Sequence, residues 1–316
     1  MSFTGRRFLV AVALLTGAIA PLGACNRDRG ESIKLVNEGI LSERNGGHQM
    51  AYAKYWRAAS IDPANHRALS LMGIIELYDR KEAQKGVEHL LAAEKLAPND
   101  RDILFHLGRF YANTKPVDPA KALGFLGRAI QTDPNFAPAH YQKGVALLAK
   151  GDLAAADAAF REALACDATY TPAYLDLAGT YEALELPELA VEVYEKALLN
   201  ADQKSDLLNS LAILRMDQGK VKDALELFQK AYQAEPNRTD ILFNLAFAFV
   251  ANQDAEQAAN YLAAFINQAD SKKGEQIKVA ELLRKAMLLE QKRKLNEAPP
   301  MEPPPKPDAP KPDAPK

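Results

Sequence analysis

Nucleophilic and metal chemistry ask most of cysteine and histidine, and this 316-residue chain has two of the first and five of the second. His48, His66, His89, His106 and His140 are scattered along the chain, and no HExxH or CxxC joins them into a zinc ligand set. A GxSxG elbow, a phosphate-binding Walker loop and a GxGxxG turn are also absent, so the acyl-transfer and nucleotide chemistries they serve have no carrier. Acid-rich runs such as Glu182–Lys196 read as solvated helix faces rather than facing acid–base pairs. The expectation is a chain without catalytic residues, cofactor or metal. Lys+Arg 39 against Asp+Glu 41 gives a net charge of −2 with no long basic stripe, which argues against a nucleic-acid partner.

Cys25 stands apart from this inventory. Arg6 and Arg7 precede a thirteen-residue apolar run, Phe8 to Ala20, which suits a secretory core and is too short to cross a membrane as a helix. The run ends in Leu22-Gly23-Ala24-Cys25, which resembles the bacterial lipobox, where a cysteine after two small residues is lipidated and becomes the mature N-terminus. That resemblance implies a signal peptide over 1–24, acyl chains such as palmitate on Cys25, and a lipid anchor as the sole membrane contact. Asn26 after the cysteine leans toward the outer membrane, facing the periplasm. Residues 25–31 then form a tether whose six links after the cysteine reach at most about 22 Å. Cleavage removes two cations and no acid, moving the net charge from −2 to −4. With Cys25 lipidated, Cys166 is the only free thiol expected in the chain, and its place late in a helical pattern is that of a small buried core residue.

The elements that must position everything else announce themselves by period. Ala51, Gly86, Ala122, Ala156, Ala190, Ala224 and Ala258 recur at spacings of 34 to 36 residues. Four places on stand Tyr55, Leu90, Leu126, Phe160, Tyr194, Phe228 and Leu262; three further stand Ala58, Ala93, Ala129, Ala163, Ala197, Ala231 and Phe265. Upstream a second small site repeats as Gly39, Gly73, Gly108, Gly144, Ala178, Ala212 and Ala246. This pattern resembles the tetratricopeptide repeat, whose period is 34. The resemblance runs from about Ser32 to Ser271. It implies an all-α, right-handed superhelix of seven helix-turn-helix repeats over 32–272, each with an A and a B helix. Small residues let the helix backbones approach, and the bulky residue one turn on fills the space beside them. Asp118-Pro119 and Pro187 supply helix starts in register.

After the repeats, residues 273–297 place Ile277, Ala280, Leu283, Ala286 and Met287 on one stripe, as a helix covering the last repeat would. The segment 298–316 holds nine of the nineteen prolines, with Lys and Asp alternating; such a composition makes no packed core and favours an extended, disordered polyproline II tail. A spacer is the simple role for it, and a docking peptide or cell-wall contact the functional one.

In tetratricopeptide folds the fifth and ninth residues of helix A line the inner groove. Carried over by register, the fifth positions are Val36, Ser70, Phe105, Tyr141, Leu175, Asn209 and Phe243. The ninth are Ile40, Ile74, Arg109, Val145, Gly179, Ile213 and Phe247. Of these, Phe105, Arg109, Tyr141, Val145, Leu175, Asn209, Ile213, Phe243 and Phe247 are the expected partner-binding set. Apart from Arg109 they lack the cations that clamp a carboxylate, and instead offer aromatic anchors for a protein or peptide partner. The resulting expectation is a non-catalytic, envelope-anchored scaffold. The layout looks like the lipoproteins that help a secretin assemble in type IV pilus systems; an adaptor for cell-wall enzymes is the other reading.

Overall fold

The computed structural model describes residues 22–201 and 204–297, and every regular element among them is helical. In chain order these are α1 (Leu22–Arg44), α2 (His48–Ile61), α3 (His66–Tyr78), α4 (Ala83–Leu96), α5 (Arg101–Asn113), α6 (Pro119–Thr132), α7 (Ala137–Lys150) and α8 (Leu153–Cys166). There follow α9 (Thr171–Ala183), α10 (Pro187–Asn200), α11 (Ser205–Asp217), α12 (Val221–Ala234), α13 (Thr239–Ala251), α14 (Ala255–Gln268) and α15 (Gly274–Glu297). Two compact units divide within α8, one reaching Ala159 and the other starting at Phe160. In the first, α1 packs on α2, α3 on α4, and α5 on α6 and α7; in the second, α9 packs on α10, α11 on α12, α13 on α14, and α14 on α15.

Close approach explains the recurrent small residues. All seven members of the Ala51 series are buried, as are the bulky residues four places on and the series that ends in Phe265. At the α3–α4 crossing the demand is strictest. A Cβ on Gly73 would lie 2.7 Å from the Gly86 carbonyl oxygen, and one on Gly86 would lie 2.8 Å from that of Gly73, inside any real contact. Where the filler is tyrosine, its hydroxyl needs a partner. Tyr55 donates to Glu43 and Tyr194 to Glu182, each at 2.8 Å, and burial followed by these bonds raises both phenol pKa values.

The A-to-B turn repeats as well, in a way the sequence did not disclose. Gly46, Lys81, Gly151, Glu185, Gly219 and Gln253 all hold positive φ, and three of these six carry side chains that resist it. Helix starts are capped as the sequence proposed: the Asp118 side chain accepts from the Lys121 N–H ahead of Pro119, and Pro187 opens α10.

Residues 25–31 belong to α1, which begins at Leu22; a helix advances about 1.5 Å per residue, so that stretch spans about 10 Å, within the limit of about 22 Å. Two expectations are corrected. Cys166, the last residue of α8, is half-buried rather than a core residue. On α15, Ala280 is buried beside Phe265, and Ile277 and Leu283 pack against the same cluster, but Ala286 at the edge of the stripe is exposed. The apolar run before Leu22 and the proline-rich segment 298–316 lie outside the described residues.

Candidate functional site

Helix A presents its expected groove residues in two contrasting ways. In the first two repeats the fifth positions are core: Val36 is 2% exposed and Ser70 is 8% exposed. From α5 onward they are half-buried.

On α5 the expected anchors are taken up by their own neighbours. Phe105 meets Phe136 edge-on at 5.1 Å and His106 at 5.2 Å. Arg109 is exposed, yet its guanidinium lies 4.6 Å above the Tyr78 ring, and the Tyr78 hydroxyl is 3.3 Å from His106 Nδ1. Desolvation, reinforced by the Arg109 charge, holds the His106 ring down at about 4, so the imidazole is neutral in this stack. Tyr141 and Val145 on α7 and Leu175 on α9 are half-buried along their helices.

The A helices α11 and α13 are arranged differently. A cleft of about 240 Å³ is lined by Ile213, Met216, Phe228, Phe243, Asn244 and Phe247, and Tyr141, Val145 and Leu175 take no part in it. Its rim is open, with Ile213 40% and Phe247 38% exposed, while Phe228 forms a buried floor. Phe243 stands 4.9 Å from both Phe247 and the fully buried Phe265, which fixes the aromatic wall. Asn244 donates to Asn209 Oδ1 at 2.9 Å, tying α11 to α13 beside the cleft. Four of the expected residues, Asn209, Ile213, Phe243 and Phe247, therefore meet in one place. Met216, Phe228 and Asn244 complete it. Phe228 was already marked by the repeat, but nothing in the period singles out the other two.

A second, larger cleft of about 790 Å³ lies off the expected groove, on α2 and the α3–α4 turn. Tyr52, Ala53 and Trp56 of α2 face Ile75, Asp79, Arg80, Glu82 and Lys85. Trp56 is the only tryptophan of the chain and is 58% exposed. Arg80 sits 4.2 Å above the Tyr52 ring, and the Tyr52 hydroxyl donates to the buried Glu76 at 2.8 Å. Glu76 also bonds His89 Nδ1 at 2.6 Å. The signal for this site was a single large aromatic where the other repeats place Leu91, Gly127, Arg161, Glu195, Gln229 and Ala263.

Among the described residues no group of three or more His, Cys, Asp and Glu could hold a metal ion, and no helix is long and apolar enough to cross a membrane.

With the antiparallel helix pairs and their aligned small sites in place, the class of these elements is defined. Family profiles of the tetratricopeptide repeat match residues 137–170, 171–203 and 215–285, so these stretches carry the repeat. Among particular relatives, the type IV pilus assembly protein PilF of Pseudomonas aeruginosa is 26% identical over 149 residues, 46% of this chain and 59% of its own length. The human protein O-mannosyl-transferase TMTC3 is 22% identical over 242 residues, 71% of this chain. This chain spans only 26% of the length of TMTC3 and 59% of that of PilF. The solved PilF structure superposes with a TM-score of 0.56 at 17% identity, covering 67% of this chain and 94% of that one. PilW, a type IV pilus biogenesis factor, gives 0.58 at 22% identity, covering 65% and 93%. At those identities the likeness is one of fold.

Proposed function

We propose that this protein is a non-catalytic scaffold that binds a protein partner through the cleft of α11 and α13. The observation that carries this is the open aromatic rim: Phe247 and Ile213 are held exposed over a fixed wall of Phe243 on Phe265. Rigid aromatic surface buries apolar area on a partner while losing little side-chain entropy. The lining has no charged group, so the ligand is an apolar helix face or strand rather than a terminal carboxylate. The chain works in the bacterial envelope, lipid-anchored through Cys25 at the periplasmic face, most simply of the outer membrane, and binds no nucleic acid. The sequence before Cys25 supports that address.

A narrower reading places it in type IV pilus assembly, as a factor assisting a secretin. The resemblance to PilF at 26% identity and the fold shared with PilF and PilW favour this reading over an adaptor for cell-wall enzymes. The test is recovery of crosslinked partners from envelopes carrying the full chain or its Phe247→Ala form. Loss of such an anchor costs about 2 kcal/mol or more, roughly thirtyfold in recovery at limiting partner. Unchanged recovery with an unchanged melting curve would remove the cleft from the function. Secretin among the recovered proteins supports the pilus reading, and its absence from a successful recovery contradicts it.

A further inference from the structure

The helix α15 carries two apolar stripes, and the repeats use one of them. On the packed side Ala280 is buried, Ile277 and Leu283 join the cluster around Phe265, and Met287 packs on the cluster around Phe228. On the other side Val279 is 43%, Leu282 70% and Leu289 60% exposed, and Ala286 between them is exposed as well. Spacings of three, four and three residues set these four along one line of the helix. Aliphatic side chains in such a row form a contiguous patch, which scattered surface residues do not.

Charge decides what suits the row. Lys278, Lys285 and Lys292 recur every seven residues, and each stands three or four places from Leu282 or Leu289, so they form one edge of the stripe. From Glu275 to Lys294 the helix has six cations against three carboxylates, a surplus of positive charge in a chain whose net charge is −2. Two of those carboxylates are already engaged, Glu275 with Lys278 at 2.9 Å and Glu290 with Arg293 at 3.5 Å. Arg284, Lys285 and Lys292 are exposed and make no ion pair among the described residues.

A second copy of the helix would fit this face poorly. Run antiparallel, the pair would set one lysine row against the other. Run parallel, it would need the flank of Gln276, Leu283 and Glu290, where Leu283 is packed against the Phe265 cluster. Protein interfaces are anchored by aromatic hot spots, and this stripe is aliphatic throughout. A lipid surface asks for what is here: apolar area on one line, and long cationic side chains beside it that rest their stems at the acyl boundary and their charges among anionic headgroups. We propose that the solvent-facing stripe of α15 lies in the surface of an anionic bilayer. Val279, Leu282 and Leu289 enter the acyl boundary, and Lys285 and Lys292 meet the headgroups. This contact goes beyond the scaffold reading and does not depend on an acyl chain at Cys25.

Trp56 is the only tryptophan of the chain, so Trp56→Phe with Leu282→Trp leaves a single reporter on the stripe. Both positions are exposed, and an unchanged melting curve verifies the fold. The full chain carrying this pair is mixed with vesicles of phosphatidylcholine brominated on its acyl chains, with and without about one third phosphatidylglycerol. Bromine quenches an indole only on contact, so the signal belongs to α15 whatever else holds the chain to the vesicle. With phosphatidylglycerol, emission at position 282 should shift to the blue and lose about half its intensity or more, and without it the change should be small. Adding Lys285→Glu and Lys292→Glu should return the quenching to its level in phosphatidylcholine alone. No quenching with phosphatidylglycerol overturns the proposal. So does equal quenching in both kinds of vesicle, or quenching that survives the two glutamates, since either leaves the lysines without a part. Emission already shifted to the blue without vesicles, and growing with protein concentration, would assign the stripe to a second copy instead.

Discussion

The A helices α5 and α13 carry a phenylalanine at the same fifth position, Phe105 and Phe243, with Arg109 and Phe247 one turn on, yet only one of the two helices leaves an open site. On α5, Phe105 is met by Phe136 and Arg109 lies on Tyr78, so the neighbouring repeats of the same chain occupy the anchors. On α13, Phe243 leans on Phe265 from behind, and Phe247 lines an open cleft with Ile213, Met216 and Asn244. The lesson is that register fixes the direction of a side chain, while the residue types one repeat away decide whether that direction is already filled. A phenylalanine set against its own neighbours stabilises the array; one supported only from below is a binding surface. The inward-facing positions of a repeat protein are therefore not equivalent to each other.

The largest effect that can break this contrast is at Phe265. It is fully buried, supports Phe243, and belongs to the cluster that receives Ala280 of α15. Phe265→Ala should cost about 3–5 kcal/mol in urea unfolding and should abolish partner recovery with it, because the wall of the cleft rests on this ring. A cost below about 1 kcal/mol would mean that the wall is held by something else.

The α5 side responds to acid. The His106 ring is neutral in the fold, held down to about 4 by desolvation and by Arg109, whereas an exposed histidine titrates near 6.5. Between those values the unfolded chain takes up a proton that the folded chain refuses, so stability is fully present above about pH 6.5 and falls as pH drops toward 4. The loss is on the order of 3 kcal/mol at most. His106→Gln should flatten the difference between urea midpoints at pH 7 and pH 4.5. Parallel curves for the two chains would place the ring in water.

Smaller still is the turn after α13. Gln253 holds a φ of 61°, where Gly151 and Gly219 occupy the same step of other repeats. Gln253→Gly relieves the left-handed strain but loosens the unfolded chain, for a net gain of about 0.5–1 kcal/mol. A loss on thermal unfolding would show that the glutamine side chain holds the turn.

Much of this was legible in the residues. Packing at 34-residue spacing is a demand on side-chain volume, and volume is written directly in the sequence as Ala51, Tyr55, Ala58 and their successors. The helix starts at Asp118-Pro119 and Pro187 were legible because capping is local. The groove was legible as a set of positions and not as a site: Phe105 and Phe243 look alike until Phe136 and Phe265 are in place. Trp56 stayed hidden because a period averages over repeats, and this residue stands out for being unlike its six equivalents. The left-handed turns were hidden by Lys81, Glu185 and Gln253, residues that do not advertise positive φ as glycine does. The helical state of residues 25–31 was hidden, because a place between the lipobox and the first repeat fixes the number of residues and not their conformation.

The central claim, that α13 offers a free surface where α5 has none, is tested most directly by photo-crosslinking in cells that make the full chain. Benzoylphenylalanine is placed at position 247 in one chain and at position 105 in another; each replacement adds a benzoyl group to the ring, so an unchanged melting curve must accompany each chain. Under the same irradiation, the 247 chain should form a discrete adduct of higher mass and the 105 chain should remain at its own mass. An adduct at 105 with none at 247, or equal adducts at both, would contradict the account.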